Sequence, residues 1–398
     1  MTPNPDLLAA SLAEFREQPD QYVSVAGVPP EIAARLPGFA DFGIDSETLV
    51  EAVRAAGPQM GPATPSWTPA MMSYGDARSV EGERAEAMQD GVAAERAFLE
   101  ASFWYFLARF PHILHPAGAE AYERHKVAYL RAARHFRNPV ERFEAPLEPG
   151  VVTAYLRLPT GPAPKDGWPL VALWGGIDVW KSDLEIHSQS NALLRRGMAT
   201  LAVDMPGTGE SPVPVAPDAE RVIAALLASA RADRRFDATR IGCYGLSFGG
   251  HWAAKMALLD RNLKGVVNVG GPIHHAFQPA WVAALPFGAK AALARVQSLD
   301  ARADAERLAP SLARLDLVAQ GLLPASRSAP LLSVNGERDE LVPIADLDVF
   351  SEYGIPQDRL KFADDRHVAS RNWRLHEAFV ADWLSSKLRR GLASDGAS

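Results

Sequence analysis

Three residues, in the chain order serine, aspartate, histidine, carry the chemistry that this sequence announces. Gly245-Leu246-Ser247-Phe248-Gly249 follows the β-type run Arg240 to Tyr244 and opens a helical pattern near Gly250. Strand, sharp turn and helix are the setting in which Gly-x-Ser-x-Gly holds its serine strained, while the glycines let strand and helix approach closely. A serine hydroxyl is a weak nucleophile; it needs an adjacent base, which a carboxylate must orient. Beyond His251 the histidines are His274, His275, His367 and His376. His367 ends Ala363-Asp364-Asp365-Arg366-His367, just past a strand-like run, where a loop can swing an imidazole over a sheet edge. His376 lies inside a terminal amphipathic pattern and reads as a surface or packed residue. Asp339 closes the strand-and-turn segment Leu331 to Asp339, one helix and one strand before His367, with Glu337 and Glu340 as competing carboxylates. The expected roles are Ser247 as nucleophile, His367 as base and Asp339 as acid partner.

Acyl transfer by such a group also requires N–H donors for the developing oxyanion. One is expected from Phe248, the residue after the serine; the other comes from a loop after an earlier strand. Val171-Ala172-Leu173-Trp174-Gly175-Gly176-Ile177 has that character, an apolar strand ending in two glycines, so Gly176 is the preferred second donor and Ile177 the next. Asp204-Met205-Pro206-Gly207-Thr208-Gly209-Glu210-Ser211 follows another apolar run and reads as a structural turn, because it has neither a Walker lysine nor dinucleotide-binding spacing. No cofactor is expected. No His/Asp/Glu cluster has metal-ligand spacing, and the adjacent His274 and His275 cannot easily share one ion, so no metal is expected either.

These residues need a scaffold. From Val151 onward short apolar runs alternate with longer amphipathic ones, the pattern of strands and helices wound into a mostly parallel sheet. Candidate strands are 151–158, 169–174, 199–203, 240–245, 265–269, 330–334 and 359–363; the clearest helical patterns are 218–232, 250–259 and 373–387. Residues 1–138 lack a confident strand and read as a helical N-terminal cap region. There Met88, Val92, Leu99, Phe103, Phe106 and Phe110 fit one helical stripe, and Tyr122, His125, Tyr129, Ala132 and Phe136 a second. Such stripes must bury against each other and a neighbouring sheet. His125 reads either as a hydrogen-bonded core histidine or as a residue lining the pocket. The stretch from Gly57 to Pro69 is rich in Pro and Gly and reads as loop or linker. Residues 139–390 form the expected catalytic domain, with a helical insertion near 278–325, and 391–398 are expected to be a disordered tail.

Composition sets the outer bounds. The chain of 398 residues is 47% hydrophobic and 22% charged with a formal charge of −7, which provides no electrostatic footprint for nucleic acid or an anionic membrane. No stretch approaches a membrane span, and no secretory signal is recognisable, so a cytoplasmic location is expected. The single cysteine, Cys243, lies in an apolar strand and reads as an inert core thiol.

With elbow, Gly175-Gly176-Ile177-Asp178 loop, Asp-x-Pro-Gly-x-Gly turn and acid–histidine pair assembled, most of the chain resembles one branch of the α/β-hydrolase fold. That branch groups the fermentation-respiration switch proteins, fungal heptaketide-shortening pigment hydrolases and bacterial 2,6-dihydroxypseudooxynicotine hydrolases. The resemblance implies a cap packed over the active site and cleavage of an ester, or of an activated C–C bond next to a carbonyl, in a ketone, polyketide or aromatic small molecule. It also implies a homodimer. Trp174 stands where many esterases carry the histidine of a His-Gly oxyanion loop, a departure that fits this branch better than a lipase. Two other readings keep the same residues: elimination or acyl transfer by the same triad, and a non-catalytic regulatory binder. Substrate contacts are expected from Asp178, His125 and the pair His274-His275, which follows an apolar run through Gly270-Gly271-Pro272. Since ligands bind outside the carboxyl ends of parallel strands, one of that pair should approach the substrate and stabilise an enolate or phenolate leaving group, unless both histidines only satisfy backbone groups in a crowded loop.

Overall fold

The computed structural model describes residues 28, 30–33, 35–57, 66–300 and 305–389. The segment expected to be a disordered tail, most of the expected 57–69 loop and the first part of the expected cap region therefore lie outside the described residues.

Eight strands form one sheet in the order β1-β2-β4-β3-β5-β6-β7-β8. They are β1 (Glu141–Leu147), β2 (Gly150–Arg157), β3 (Trp168–Trp174), β4 (Ala199–Val203), β5 (Phe236–Leu246), β6 (Gly265–Val269), β7 (Leu331–Gly336) and β8 (Asp358–Phe362). β1 and β2 join antiparallel, and every pairing from β4 to β8 is parallel. The central strands are continuous apolar runs because helices cover both faces; every residue of β4 and β6 is buried. Registers such as Trp174 with Gly245 and Leu246 with Val269 bring the carboxyl ends of β3, β5 and β6 to one edge.

Before the sheet come α1 (Leu36–Asp41), α2 (Ser46–Ala56), α3 (Trp67–Ala87), α4 (Gly91–Arg109) and α5 (Pro116–Ala133). Trp67, Thr68 and Pro69, expected in a loop, instead open α3. The first expected stripe also breaks: Met88 is 79% and Val92 83% exposed. The chain turns between α3 and α4, where Gln89 has φ 59° and Asp90 caps the new helix by accepting from the Ala93 N–H at 3.0 Å. The second stripe is buried along its whole length. Around the sheet lie α6 (Leu184–Leu194), α7 (Arg221–Ala232), α8 (Phe248–Leu259) and α12 (Trp373–Lys387), and α9 (Pro279–Ala284), α10 (Phe287–Val296) and α11 (Ala305–Ala313) are inserted between β6 and β7. β1, which the sequence reading did not contain, is an edge strand with four of its seven residues exposed, so it lacks the apolar run that marks its neighbours.

Candidate active site

Ser247 sits between β5 and α8 with φ 55° and ψ −132°, a backbone conformation costly for any residue with a side chain. Close packing enforces it. A Cβ on Gly249 would come within 2.1 Å of the Gly175 carbonyl oxygen and 2.6 Å of the Trp174 ring, so α8 and the end of β3 touch backbone to backbone. Trp174 seals that contact by donating its Nε1–H to the Gly249 carbonyl at 2.7 Å. Its place in the histidine position of other oxyanion loops is thereby explained: it is a strut between the two halves of the site.

Ser247 Oγ lies 2.7 Å from His367 Nε2, and His367 Nδ1 lies 2.7 Å from Asp339 Oδ2. Asp339 Oδ2 also accepts from Asn335 Nδ2 at 2.7 Å, and its Oδ1 accepts from the N–H groups of Leu341 and Val342. Of the competing carboxylates, Glu337 is exposed, and Glu340 faces Arg366 at 3.7 Å. The loop bearing His367 is pinned from two sides. Asn335 Oδ1 accepts from Val368 N–H at 3.0 Å, while the buried Asp365 carboxylate collects the N–H groups of Arg366, Arg371 and Asn372. Val368 and Ala369 are held at φ 57° and 51°. Burial pulls the His367 pKa down, but the charge and hydrogen bond of Asp339, aided by Glu340 and Asp178, outweigh it and leave the imidazole above its ordinary value. Asn335 and Asp365 were missed in the sequence, where each looks like an ordinary turn residue.

Gly176 abuts the serine: a Cβ there would stand 2.6 Å from Ser247 Cβ and 2.9 Å from its Oγ. Among the described residues the backbone N–H groups of Gly176, Ile177 and Phe248 bond to no other backbone group. Two cavities meet at Ser247 and His367. One, about 470 Å³, is walled by Ile177, Phe248, Phe277, Leu293, Leu312 and Val342. The other, about 450 Å³, runs beneath α1, where Phe39 and Phe42 face Leu246 and Trp373, and ends in the polar trio Arg35, Asp178 and Glu185. Burial pushes the Glu185 carboxyl up to about 7 despite the Arg35 charge.

The expected substrate contacts divide. Asp178 lines the second cavity and ion-pairs with Arg35. His274 and His275 line neither cavity, contrary to expectation. Asp346 accepts from the backbone N–H groups of residues 273 to 276, which fixes the turn, and the His274 Nδ1 lies 2.7 Å from Asp316. Their neighbours Pro272 and Ala276 line the cavity instead. His125 lines neither cavity; it is fully buried behind the Gly-Gly loop, 3.3 Å from Asp183, and burial lowers its pKa to about 3. His376 is buried against Trp373, and burial pushes the Cys243 thiol pKa up. Among the described residues no group of three or more His, Cys, Asp or Glu side chains could hold a metal ion, and no helix is long and apolar enough to cross a membrane.

A mostly parallel eight-stranded sheet with a serine elbow and an acid–histidine pair at its carboxyl edge defines an α/β-hydrolase. The profile of the FrsA-like esterases matches residues 60–389, and the chain belongs to that family. Esterase FrsA of Vibrio vulnificus (strain YJ016) is 29% identical over 285 residues, covering 69% of this chain and 67% of that one. Esterase FrsA of Vibrio cholerae (strain M66-2) is 29% identical over 292 residues, covering 72% and 68%. Among solved structures, 2,6-dihydroxy-pseudo-oxynicotine hydrolase superposes with a TM-score of 0.74 at 24% identity over 88% of this chain and 95% of that one. AbyA5 superposes with 0.64 at 25% identity over 84% and 97%. The protein is an enzyme with hydrolase activity of the α/β-hydrolase, esterase type.

Proposed function

We propose that this enzyme hydrolyses a small carboxylic ester through an acyl-enzyme on Ser247, with His367 as general base and acid and Asp339 as the orienting carboxylate. The observation that carries the reading is the unbroken chain from Ser247 Oγ through both ring nitrogens of His367 to Asp339, each step 2.7 Å. The Oγ proton passes to His367 Nε2 as the oxygen attacks the carbonyl carbon. The tetrahedral oxyanion faces the N–H of Phe248 and that of Gly176 or Ile177. His367 then protonates the departing alkoxide, and a water activated by the same ring releases the acid. The two cavities on either side of Ser247 suit apolar groups flanking the scissile bond, with a hydrogen-bonding end near Asp178 and Glu185. α1 helps close the site from the helical side.

Cleavage of a C–C bond calls for a donor to hold the second carbonyl. The histidine pair nearest in sequence to that task turns away from the cavities, so the ester is the better-supported substrate. Fluorophosphonate treatment followed by peptide mass spectrometry is expected to place the adduct on Ser247, and Ser247→Ala is expected to abolish aryl-ester hydrolysis. An adduct elsewhere, or full activity in that variant, would reject the assignment. Turnover of a β-diketone faster than an aryl ester would reject the ester reading while keeping the triad.

A further inference from the structure

The loop that carries Gly176 and Ile177 is fastened from the helical layer as well as from the sheet. After the two glycines the chain continues Ile177-Asp178-Val179-Trp180-Lys181-Ser182-Asp183 before α6 begins. Arg109, at the end of α4 and with no exposed side-chain surface, donates Nη1–H to the Asp178 carbonyl at 3.0 Å and Nη2–H to the Asp183 carboxylate at 2.5 Å. Its guanidinium lies 3.6 Å above the Trp180 ring, and Trp180 in turn donates Nε1–H to the Ile177 carbonyl at 3.2 Å. Arg35, at the start of α1, ion-pairs with the Asp178 side chain. The sheet side anchors the same loop through the buried Lys181, whose N–H donates to Asp204 at 2.8 Å and whose ammonium pairs with Asp204 and, at 2.7 Å, with Glu210. Two arginines thus hold the residue immediately after the oxyanion donors, one by its backbone and one by its side chain.

We propose that Arg109 and Arg35 are positioning residues for the oxyanion hole: through Asp178 they keep the N–H groups of Gly176 and Ile177 aimed at the carbonyl oxygen bound at Ser247. The helical layer is then part of the catalytic apparatus and does more than enclose the substrate. This rests on the acyl-enzyme reading above. The physical reason is that oxyanion donors act only if held in place before charge develops, and a displacement of about 1 Å can cost on the order of 10²-fold in rate. Arg35 is the better handle because its side chain is 22% exposed, and losing it leaves the buried Arg109–Asp183 pair intact.

The test uses Arg35→Gln, Asp178→Asn and their combination, assayed on p-nitrophenyl butyrate and on its thiono analogue at the pH plateau, with melting curves to confirm the fold. Sulfur accepts hydrogen bonds poorly, so an intact oxyanion hole favours the oxygen ester. Each single variant is expected to lose roughly ten- to a hundredfold in kcat with KM little changed. The oxygen-to-sulfur preference should shrink, and the double variant should lose no more than the worse single. Arg124→Gln, on α5 and paired with Asp76 and Glu120, should leave kcat and the preference unchanged. An unchanged kcat and preference in folded Arg35→Gln overturns the proposal. So does a rise in KM alone, which would make Arg35 a substrate contact. A wild-type enzyme that shows no preference for the oxygen ester would instead overturn the oxyanion reading beneath it.

Discussion

At the scale of single residues the site is an exercise in holding one imidazole. Asp339 does this with both oxygens committed: Oδ2 to His367 and Asn335, Oδ1 to two backbone N–H groups. Asn335 ties the same carboxylate to the His367 loop through the Val368 N–H, so acid and base move as one unit. Because Asp339 stabilises the imidazolium against the opposing effect of burial, it sets both tautomer and proton affinity. Asp339→Asn is therefore expected to lower kcat by roughly 10³–10⁴-fold. The acid limb of kcat/KM should also shift. In the proposed mechanism His367 must be neutral to take the serine proton, and its pKa, raised from the ordinary imidazole value, sets the wild-type limb. Without the Asp339 charge, burial dominates and the limb should move to lower pH. A variant whose limb stayed in place would assign the orienting role to Glu340. The sequence reading singled out the three residues that the structure brings together because each follows the carboxyl end of a strand, β5, β7 or β8, where this topology turns toward its ligand edge. Asn335 and Asp365 were not, since their importance lies in which loop they reach across to.

At the scale of elements the elbow shows what the fold sacrifices for chemistry. Ser247 at φ 55° stores strain of about 1–3 kcal/mol, and α8 cannot relax it while Gly249 lies against the Gly175 carbonyl. Glycine adopts that backbone conformation freely. Ser247→Gly should thus be inactive yet more stable, by about 1 kcal/mol, in chemical denaturation; a loss of stability would show that the side chain's hydrogen bond to His367 outweighs the strain. Strands β2 to β7 were readable within a few residues because burial demands apolar runs; β8, an edge strand whose residues are exposed or half-buried, was also readable within a few residues. β1 was hidden by its exposed edge position, and Pro146 within it fits an edge strand. The stripe across α3 and α4 misled because Met88 and Val92 continue the helical spacing through a break that Asp90 imposes. Periodicity records hydrophobicity; capping decides where a helix stops.

At the scale of the whole molecule the helical layer is joined to the loop after β3 by one fully buried and one partly buried ion pair. Arg109 meets Asp183 across 74 residues of chain, and Arg35 meets Asp178 across 143. No periodicity or local motif could have disclosed such pairs, which become visible only once the layers are docked. The same seam contains Glu185, whose carboxyl burial raises from 4.5 to about 7, with Arg35 opposing the shift. The sign of its effect on stability follows from proton counting. Between pH 4.5 and 7 the native state keeps the Glu185 proton while the unfolded chain gives it up, so the native state binds more protons and stability falls as pH rises through that window. The slope from this one group is at most about 1.4 kcal/mol per pH unit. His367, also raised, adds a slope of the same sign near its own pKa, but it is present in both wild type and a Glu185 variant and cancels from their difference. Glu185→Gln keeps the shape without the titration. Urea unfolding of the two proteins at several pH values from 4.5 to 7 should show wild-type stability declining toward neutral pH relative to the variant. Parallel curves would mean that Glu185 stays ionised in the folded protein, with Arg35 divided between it and Asp178. In that case Arg35 would hold the oxyanion loop less tightly than its pairing with Asp178 implies.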